Sequence, residues 1–329
     1  MTAEHPIGLV LGSAVAPQHV QGAAATAEAC GFDEIWLAED YFFTGGISGA
    51  SLVLGATSNI TVGLGVVSAV ARHPALLAME IATLSRIYEE RLIAGIGLGV
   101  PAWVRQMGLY PRSPLSALRE CVTATKTLLR GETVNVRGEV FSFDGVTLVY
   151  PETGRPTPVR MGVIGPKMLQ LSGEVADGSV LSVSASHEYV RWAKARIDEG
   201  RARGGRADRH PITVFAIYAV DDDGDAARAS ARAKLAFYRQ NGSNGLTDVY
   251  RISDELNALV KQGGYETVLE KMPDRWVEDL TIAGTPEECA AKISAYYAAG
   301  ADSVALFPVA ADRIDEIVQL TADRVLPRL

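Results

Sequence analysis

The chain predicts an α/β fold, a (β/α)8 TIM barrel with insertions, on three observations. Eight short apolar runs of strand length recur along its 329 residues, amphipathic helical stretches separate them, and glycines stand where those helices must stop. Strand alternating with helix from end to end calls for a parallel sheet, and eight such units in one chain close it into a barrel. No linker rich in Pro, Gly or Ser divides the sequence, and no internal repeat is stronger than the alternation itself. Residues 1–329 are therefore expected to form one domain.

The runs, in order, are Ile7 to Leu11, Glu34 to Ala38, Ile60 to Val67, Leu92 to Leu98, Val159 to Ile164, Ser179 to Val183, Ile212 to Val220 and Val304 to Phe307. Helices are expected over Pro17 to Cys30, Pro74 to Tyr88, Ser113 to Leu129 and Pro286 to Ala299. Proline presets a first helical turn, and Gly31, Gly131 and Gly300 supply the stops. Two stretches exceed a minimal unit. Thr133 to Tyr150 alternates around Arg137-Gly138 and Asp144-Gly145, which predicts a hairpin insertion over 133–150. Ala226 to Leu280 is mostly helical with breaks at Asn241-Gly242, Gly263-Gly264 and Pro273, and reads as a helical insertion over 226–280 that builds either a wall of the barrel mouth or an oligomer contact.

Composition excludes several classes of function. The formal charge of −8 argues against nucleic acid, whose phosphates need clustered cations without offsetting acids. The one basic cluster, Arg191 to Arg209, reads as the solvated face and end of a helix closing at Gly204-Gly205. No apolar run is long enough to span a bilayer, and the start of the chain lacks the basic and apolar regions of a signal peptide, so no membrane partner and a cytoplasmic location are expected. Cys30, Cys121 and Cys289 are odd in number and far apart, as in a reducing compartment, and the His and Cys spacing shows no zinc site.

Reacting groups in such a barrel belong at the C-terminal ends of the strands, which decides which polar residues carry weight. The second strand ends in Ala38-Glu39-Asp40-Tyr41, two carboxylates and a phenol; Asp40 is the candidate proton donor or acceptor, with Glu39 or Tyr41 orienting it. The competing reading is a capping or salt-bridged pair. The third strand carries Gly63 and Gly65, where something presses on the backbone or the barrel bends. Arg72 and His73, before Pro74, are either helix-start residues or contacts to an anion. The fourth ends in Gly95-Ile96-Gly97-Leu98-Gly99, short of a full dinucleotide fingerprint, and a flat ring lying on Gly97 and Gly99 with Trp103 as its wall suits it better.

After the fifth strand, Gly165-Pro166-Lys167-Met168 opens a helix whose free amides, with a lysine beside them, form an anion site or an ordinary strand-to-helix turn. Ser182, Ser184 and Ser186 follow the sixth. Hydrolase elbows, P-loops and kinase motifs are absent, which leaves hydrolysis by a triad and phosphoryl transfer without support.

With these residues in order, the chain resembles the luciferase-like superfamily of flavin and deazaflavin oxidoreductases. The resemblance rests on Gly31-Phe32-Asp33-Glu34-Ile35-Trp36-Leu37-Ala38-Glu39-Asp40, Gly65 through Pro74, Ala94 through Gly99, Leu128-Leu129-Arg130-Gly131-Glu132, Gly165 through Gly178 and Gly284-Thr285-Pro286-Glu287-Glu288. Within the superfamily it is most similar to the branch of methylenetetrahydromethanopterin reductase and other enzymes using coenzyme F420, chiefly through Gly165 to Gly178.

That resemblance implies hydride transfer between a deazaflavin and a small organic substrate, FMN-dependent oxygenation or a non-catalytic cofactor-binding barrel being the alternatives. It implies a cis peptide at Gly65-Val66 that backs the ring, phosphate binding by Gly165, Pro166, Lys167 and Met168, Gly97 and Gly99 beside the cofactor, and a homodimer. Two departures stand out. Asp40 occupies the place of the usual histidine, and Val10 that of a first-strand glutamate, which argues against reduction of a methylene-pterin itself.

Overall fold

The computed structural model describes residues 5–329. The chain runs β1 (Ile7–Leu11), α1 (Val20–Ala29), β2 (Glu34–Leu37), α2 (Gly46–Ala56), β3 (Thr61–Leu64), β4 (Val67–Ser68), α3 (Pro74–Ile87), β5 (Leu92–Gly97), α4 (Pro101–Gln106) and α5 (Pro114–Leu129). An antiparallel hairpin, β6 (Val134–Arg137) and β7 (Ser142–Val146), precedes β8 (Val159–Gly162), α6 (Pro166–Val175), β9 (Gly178–Leu181), α7 (His187–Arg203) and β10 (Ile212–Val220). The remainder holds α8 (Gly224–Arg239), α9 (Gly245–Val249), α10 (Ser253–Lys271), α11 (Asp274–Leu280), β11 (Ile282–Gly284), α12 (Pro286–Ala298), β12 (Ser303–Pro308) and α13 (Ile314–Arg324).

Parallel pairing runs β1–β2–β3–β5–β8–β9–β10–β12 and returns to β1, so the sheet closes into the eight-stranded barrel. Each predicted run falls on one of these strands. The short β11, which pairs only with the end of β10, was not expected, and neither were α2 and α13. Three residues carry too little pattern to announce a strand.

The third run is the one whose course differs. It was expected to continue from Ile60 to Val67, but the strand breaks at Gly65 and Val66, which are joined by a cis peptide, and resumes as β4. Gly63 pairs with Ile93 and Val67 with Ile96, so one extra residue is inserted against β5, the signature of a bulge. Glycines make room for it. A Cβ on Gly95 would stand 1.9 Å from the Leu64 carbonyl oxygen, and one on Gly162 would stand 2.7 Å from Val66 Cγ1.

The N-terminal end of the barrel carries a cluster of buried polar groups. Glu34, 6% exposed, accepts from the Trp36 indole at 2.8 Å and from the Ser303 hydroxyl at 2.6 Å. Arg160 donates to Thr213 and lies 5.7 Å over the Trp36 ring. A cavity of about 620 Å³ opens at this end, lined by Glu34, Arg160, Lys126 and Asp177 among others. It faces away from the strand ends where chemistry is expected, on the side of such a barrel that serves stability.

Outside the barrel, α6 and α7 pack backbone to backbone. A Cβ on Gly173 would meet the Ile197 carbonyl at 2.1 Å, and one on Gly200 the Gln170 carbonyl at 1.8 Å. The basic cluster on and after α7 is spent locally, in Lys194–Asp198, Arg196–Glu199, Arg206–Asp208 and Arg209–Asp302 pairs. Cys121 and Cys289 are buried, and burial pushes both thiols up to about 12, so they act as small core residues.

Two outcomes test this packing. Gly162→Ala is expected to cost about 1–3 kcal/mol in denaturant unfolding, and adding Val66→Ala should recover part of that loss, because Val66 is what the new methyl meets. The second concerns His210, which hydrogen-bonds Ser179 at 2.9 Å. Burial first, then Arg206 and Arg201, lowers its pKa from 6.5 to about 4. The unfolded chain therefore takes up this proton first as pH falls, and stability present above pH 6.5 is lost as pH drops toward 4. Thermal melting followed across that window should fall, and His210→Asn should make the fall shallower.

Candidate active site at the barrel mouth

The end of β2 brings its two carboxylates to different fates. Glu39, whose side chain is 4% exposed, accepts both ends of the Arg72 guanidinium at 2.8 and 2.7 Å and the Gly46 amide that opens α2 at 3.0 Å. One carboxylate thus holds three donors. Glu39, expected to orient Asp40, is bound instead to Arg72 and the Gly46 amide, the salt-bridged alternative, and ties the second strand to the loop after the third. Arg72 also lies 3.6 Å from Glu80, so it is not a free anion contact, and the Glu39 hydrogen bonds hold it above its usual range. His73 caps α3 through the Ala75 amide and packs against Phe141 and Phe143, pinning the hairpin.

Asp40 is the carboxylate left at the mouth. The Ser13 hydroxyl, just beyond β1, donates to it at 2.6 Å. Lys234 of α8 faces the same region. Burial lowers the pKa of its ammonium while Asp40 acts in the opposite direction, and Nζ lies 5.0 Å from the Phe307 ring centre and 5.9 Å from that of Tyr238. Phe307 reaches this position because Gly12 has no side chain; a Cβ there would stand 2.1 Å from Phe307 Cε2. Tyr41, joined to Phe42 by a cis peptide, buries a hydroxyl that has no hydrogen-bond partner, and burial raises its pKa. Ser68, its polar neighbour, donates instead to the Leu98 carbonyl at 2.8 Å.

The glycines of the third and fourth strands serve the protein's own side chains. A Cβ on Gly63 would enter the Trp36 ring at 2.3 Å, one on Gly65 would meet Phe215 at 2.7 Å, and one on Gly97 would meet Val66 Cγ2 at 2.6 Å. What presses on these strands is the bulge and two aromatic rings, so Gly97 is explained by Val66. Gly99 has φ +84°, a left-handed conformation that leads into α4. There Trp103 faces Phe43 at 6.4 Å, an aromatic pair across the rim.

On the far side, Gly165 opens α6 with φ −79° and ψ 159° and no side-chain cap, and nothing lies within 4 Å of where its Cβ would be. Pro166 fills the first helical position. The first-turn amides thus have no side-chain cap, a setting that fits the phosphate of a cofactor. Lys167 does not share it. It is exposed and lines an outer groove with Arg119, Gln170, Glu174 and Arg203, while Met168 packs against the core. Among the described residues no group of three or more His, Cys, Asp or Glu is placed to hold a metal ion.

Residues 2–303 match the luciferase-like monooxygenase family. The chain belongs to that family. It is 30% identical over 313 residues to the 5,10-methylenetetrahydromethanopterin reductase of Archaeoglobus fulgidus, covering 92% of this chain and 93% of the relative. It is 27% identical to the F420-dependent glucose-6-phosphate dehydrogenase of Nakamurella multipartita, covering 95% of this chain and 93% of that one. The structure of the coenzyme F420 dependent tetrahydromethanopterin reductase from Methanopyrus kandleri superposes with a TM-score of 0.86 at 24% identity, covering 99% of both chains.

In this luciferase-like barrel, Ser13, Lys234, Phe307 and Phe43 are mouth residues that the sequence did not single out. Ser13 was within reach of the strand-end rule, since it follows β1 as Asp40 follows β2. Lys234 was not, because it stands on a helix of the long insertion and nothing in its spacing points to Asp40. The role of Glu39 is open to a direct check. Glu39→Gln should lower stability by about 1–3 kcal/mol by leaving the Arg72 guanidinium without its charged partner, and calorimetry of the purified variant reads that loss.

Proposed function

We propose that this protein is a coenzyme F420-dependent oxidoreductase that moves hydride between the deazaflavin and a small organic substrate. The observation that carries the reading is the Asp40 carboxylate, held by Ser13 at 2.6 Å at the barrel mouth and set apart from the neighbouring Glu39–Arg72 pair. Whole-length similarity to a reductase and to an F420-dependent dehydrogenase supports the choice of cofactor.

Bound there, the deazaflavin supplies the hydride-carrying ring carbon, chemistry that belongs to the cofactor. The residues present supply the rest. The Gly165 turn offers backbone amides to the phosphate, Val66 stands on the bulge as the floor of the ring site, and Trp103 with Phe43 forms the rim. Asp40 gives or takes the proton that accompanies hydride transfer at a carbonyl or imine centre, with Ser13 fixing the orientation of its carboxyl. Lys234 faces this carboxylate from the insertion, and Asp40 opposes the fall that burial imposes on the lysine's pKa. α8 to α11 carry the wall that selects the substrate. By resemblance the protein is a cytoplasmic homodimer.

Titration of the purified protein with F420 and with FMN, followed by tryptophan fluorescence, tests the cofactor. Tight binding of F420 and hydride exchange without oxygen uptake are expected. Oxygen consumption with reduced FMN would instead place the protein with the flavin monooxygenases, and binding of neither cofactor would remove the proposal. Asp40→Asn should cut turnover roughly 100-fold or more while leaving F420 affinity near that of the wild type. Unchanged turnover would take the role from Asp40.

A further inference from the structure

α8 ends in Arg239, which is 4% exposed. Its Nη1 donates to Asn244 Oδ1 at 3.3 Å, and its Nε has no hydrogen-bond partner. Burial lowers its pKa to about 10, opposed by the Tyr238 phenol, and no carboxylate among the described residues contributes. A buried guanidinium without a counter-charge is expensive to keep, which argues for an anion that completes the site.

The position of Arg239 shows where that anion belongs. Asn244, its partner, caps α9. Gly245, the first residue of α9, lies against the turn that opens α6: a Cβ there would stand 3.3 Å from Ile164 Cγ2 and 3.8 Å from the Gly165 Cα. Arg239 is thus joined through one side chain to the segment packed on the Gly165 turn. A second orphan sits nearby in the topology. Ser184, 2% exposed and with φ +69°, holds a hydroxyl without a partner on the loop after β9, the strand paired with β8. Lys167, the cation adjacent in sequence, faces the outer groove instead.

We propose that Arg239, supplied by the insertion, is the counter-cation of a phosphate ester held at the Gly165 turn, with the Ser184 hydroxyl as an added donor. The inference rests on the F420 reading for the identity of that ester, the phosphate in the cofactor's side chain. It makes Arg239 a binding residue that acts on the tail of the cofactor and not on its ring.

The test compares two probes, F420 and the dephosphorylated deazaflavin nucleoside, by fluorescence titration of the wild type, Arg239→Gln and Arg239→Lys, with circular dichroism as the folding control. Arg239→Gln should bind F420 roughly 10- to 100-fold more weakly than the wild type, Arg239→Lys should lose less, and nucleoside affinity should be the same in all three. If Arg239→Gln does not fold, the comparison of Arg239→Lys with the wild type decides by the same criterion. Equal losses for both probes would make Arg239 a purely structural residue, and unchanged F420 affinity would also overturn the inference, in each case leaving the cofactor reading intact. A wild-type protein that binds neither probe would overturn the cofactor reading, and the inference with it.

Discussion

The seating of Val66 between Gly97 and Gly162 is the contact on which the mouth of this barrel depends. A parallel barrel is filled by side chains from alternate strands and has no natural flat place on its upper face. Here an extra residue is pushed into the third strand, and the displaced valine needs somewhere to go. The next two strands along the sheet, β5 and β8, present paired glycines at that level, with Cβ positions 2.6 and 2.7 Å from its methyl groups. The result is an apolar knob seated over a pair of glycines, around which Trp36 and Phe215 close the interior.

Charge at the mouth follows a division of labour. Arg72 is committed to Glu39, which leaves Asp40, among the described residues, with a neutral donor, Ser13, in direct contact. The cation that faces Asp40, Lys234, comes from the long insertion and not from the barrel itself. Lys234 and Arg239 lie five residues apart on α8, and neither makes an ion pair with a carboxylate at contact distance among the described residues. Desolvated cations of this kind interact strongly with a ligand anion, because little water is present to screen them.

The barrel was legible in the sequence because its strands are apolar runs and its helices carry local stop and start signals at Gly31, Gly131, Pro74 and Pro286. The breaks at Asn241-Gly242, Gly263-Gly264 and Pro273 were legible for the same reason: the backbone at Gly242 and Gly264 has positive φ, and Pro273 precedes α11. The site was legible only in part. Strand-end position pointed to Asp40 and to the Gly165 turn, but adjacency in sequence also drew in Glu39, which is bound to Arg72, and Lys167, which lines an outer groove. The glycine spacing of the fourth strand signalled close approach without saying what approaches. Lys234 reaches Asp40, and Arg239 the segment packed on the Gly165 turn, only through folding of the insertion, so no local pattern could assign them.

The backbone contact between α6 and α7 has a consequence for how this site tolerates change. Because Gly173 and Gly200 let main-chain atoms of the two helices touch, the placement of the turn at Gly165 is inherited from the path of the chain and owes little to the side chains on either helix's outer surface. Those surfaces are free to drift. A single added methyl at either glycine, by contrast, forces the helices apart and carries the turn with them, so sequence change there is felt at a rim neither residue touches.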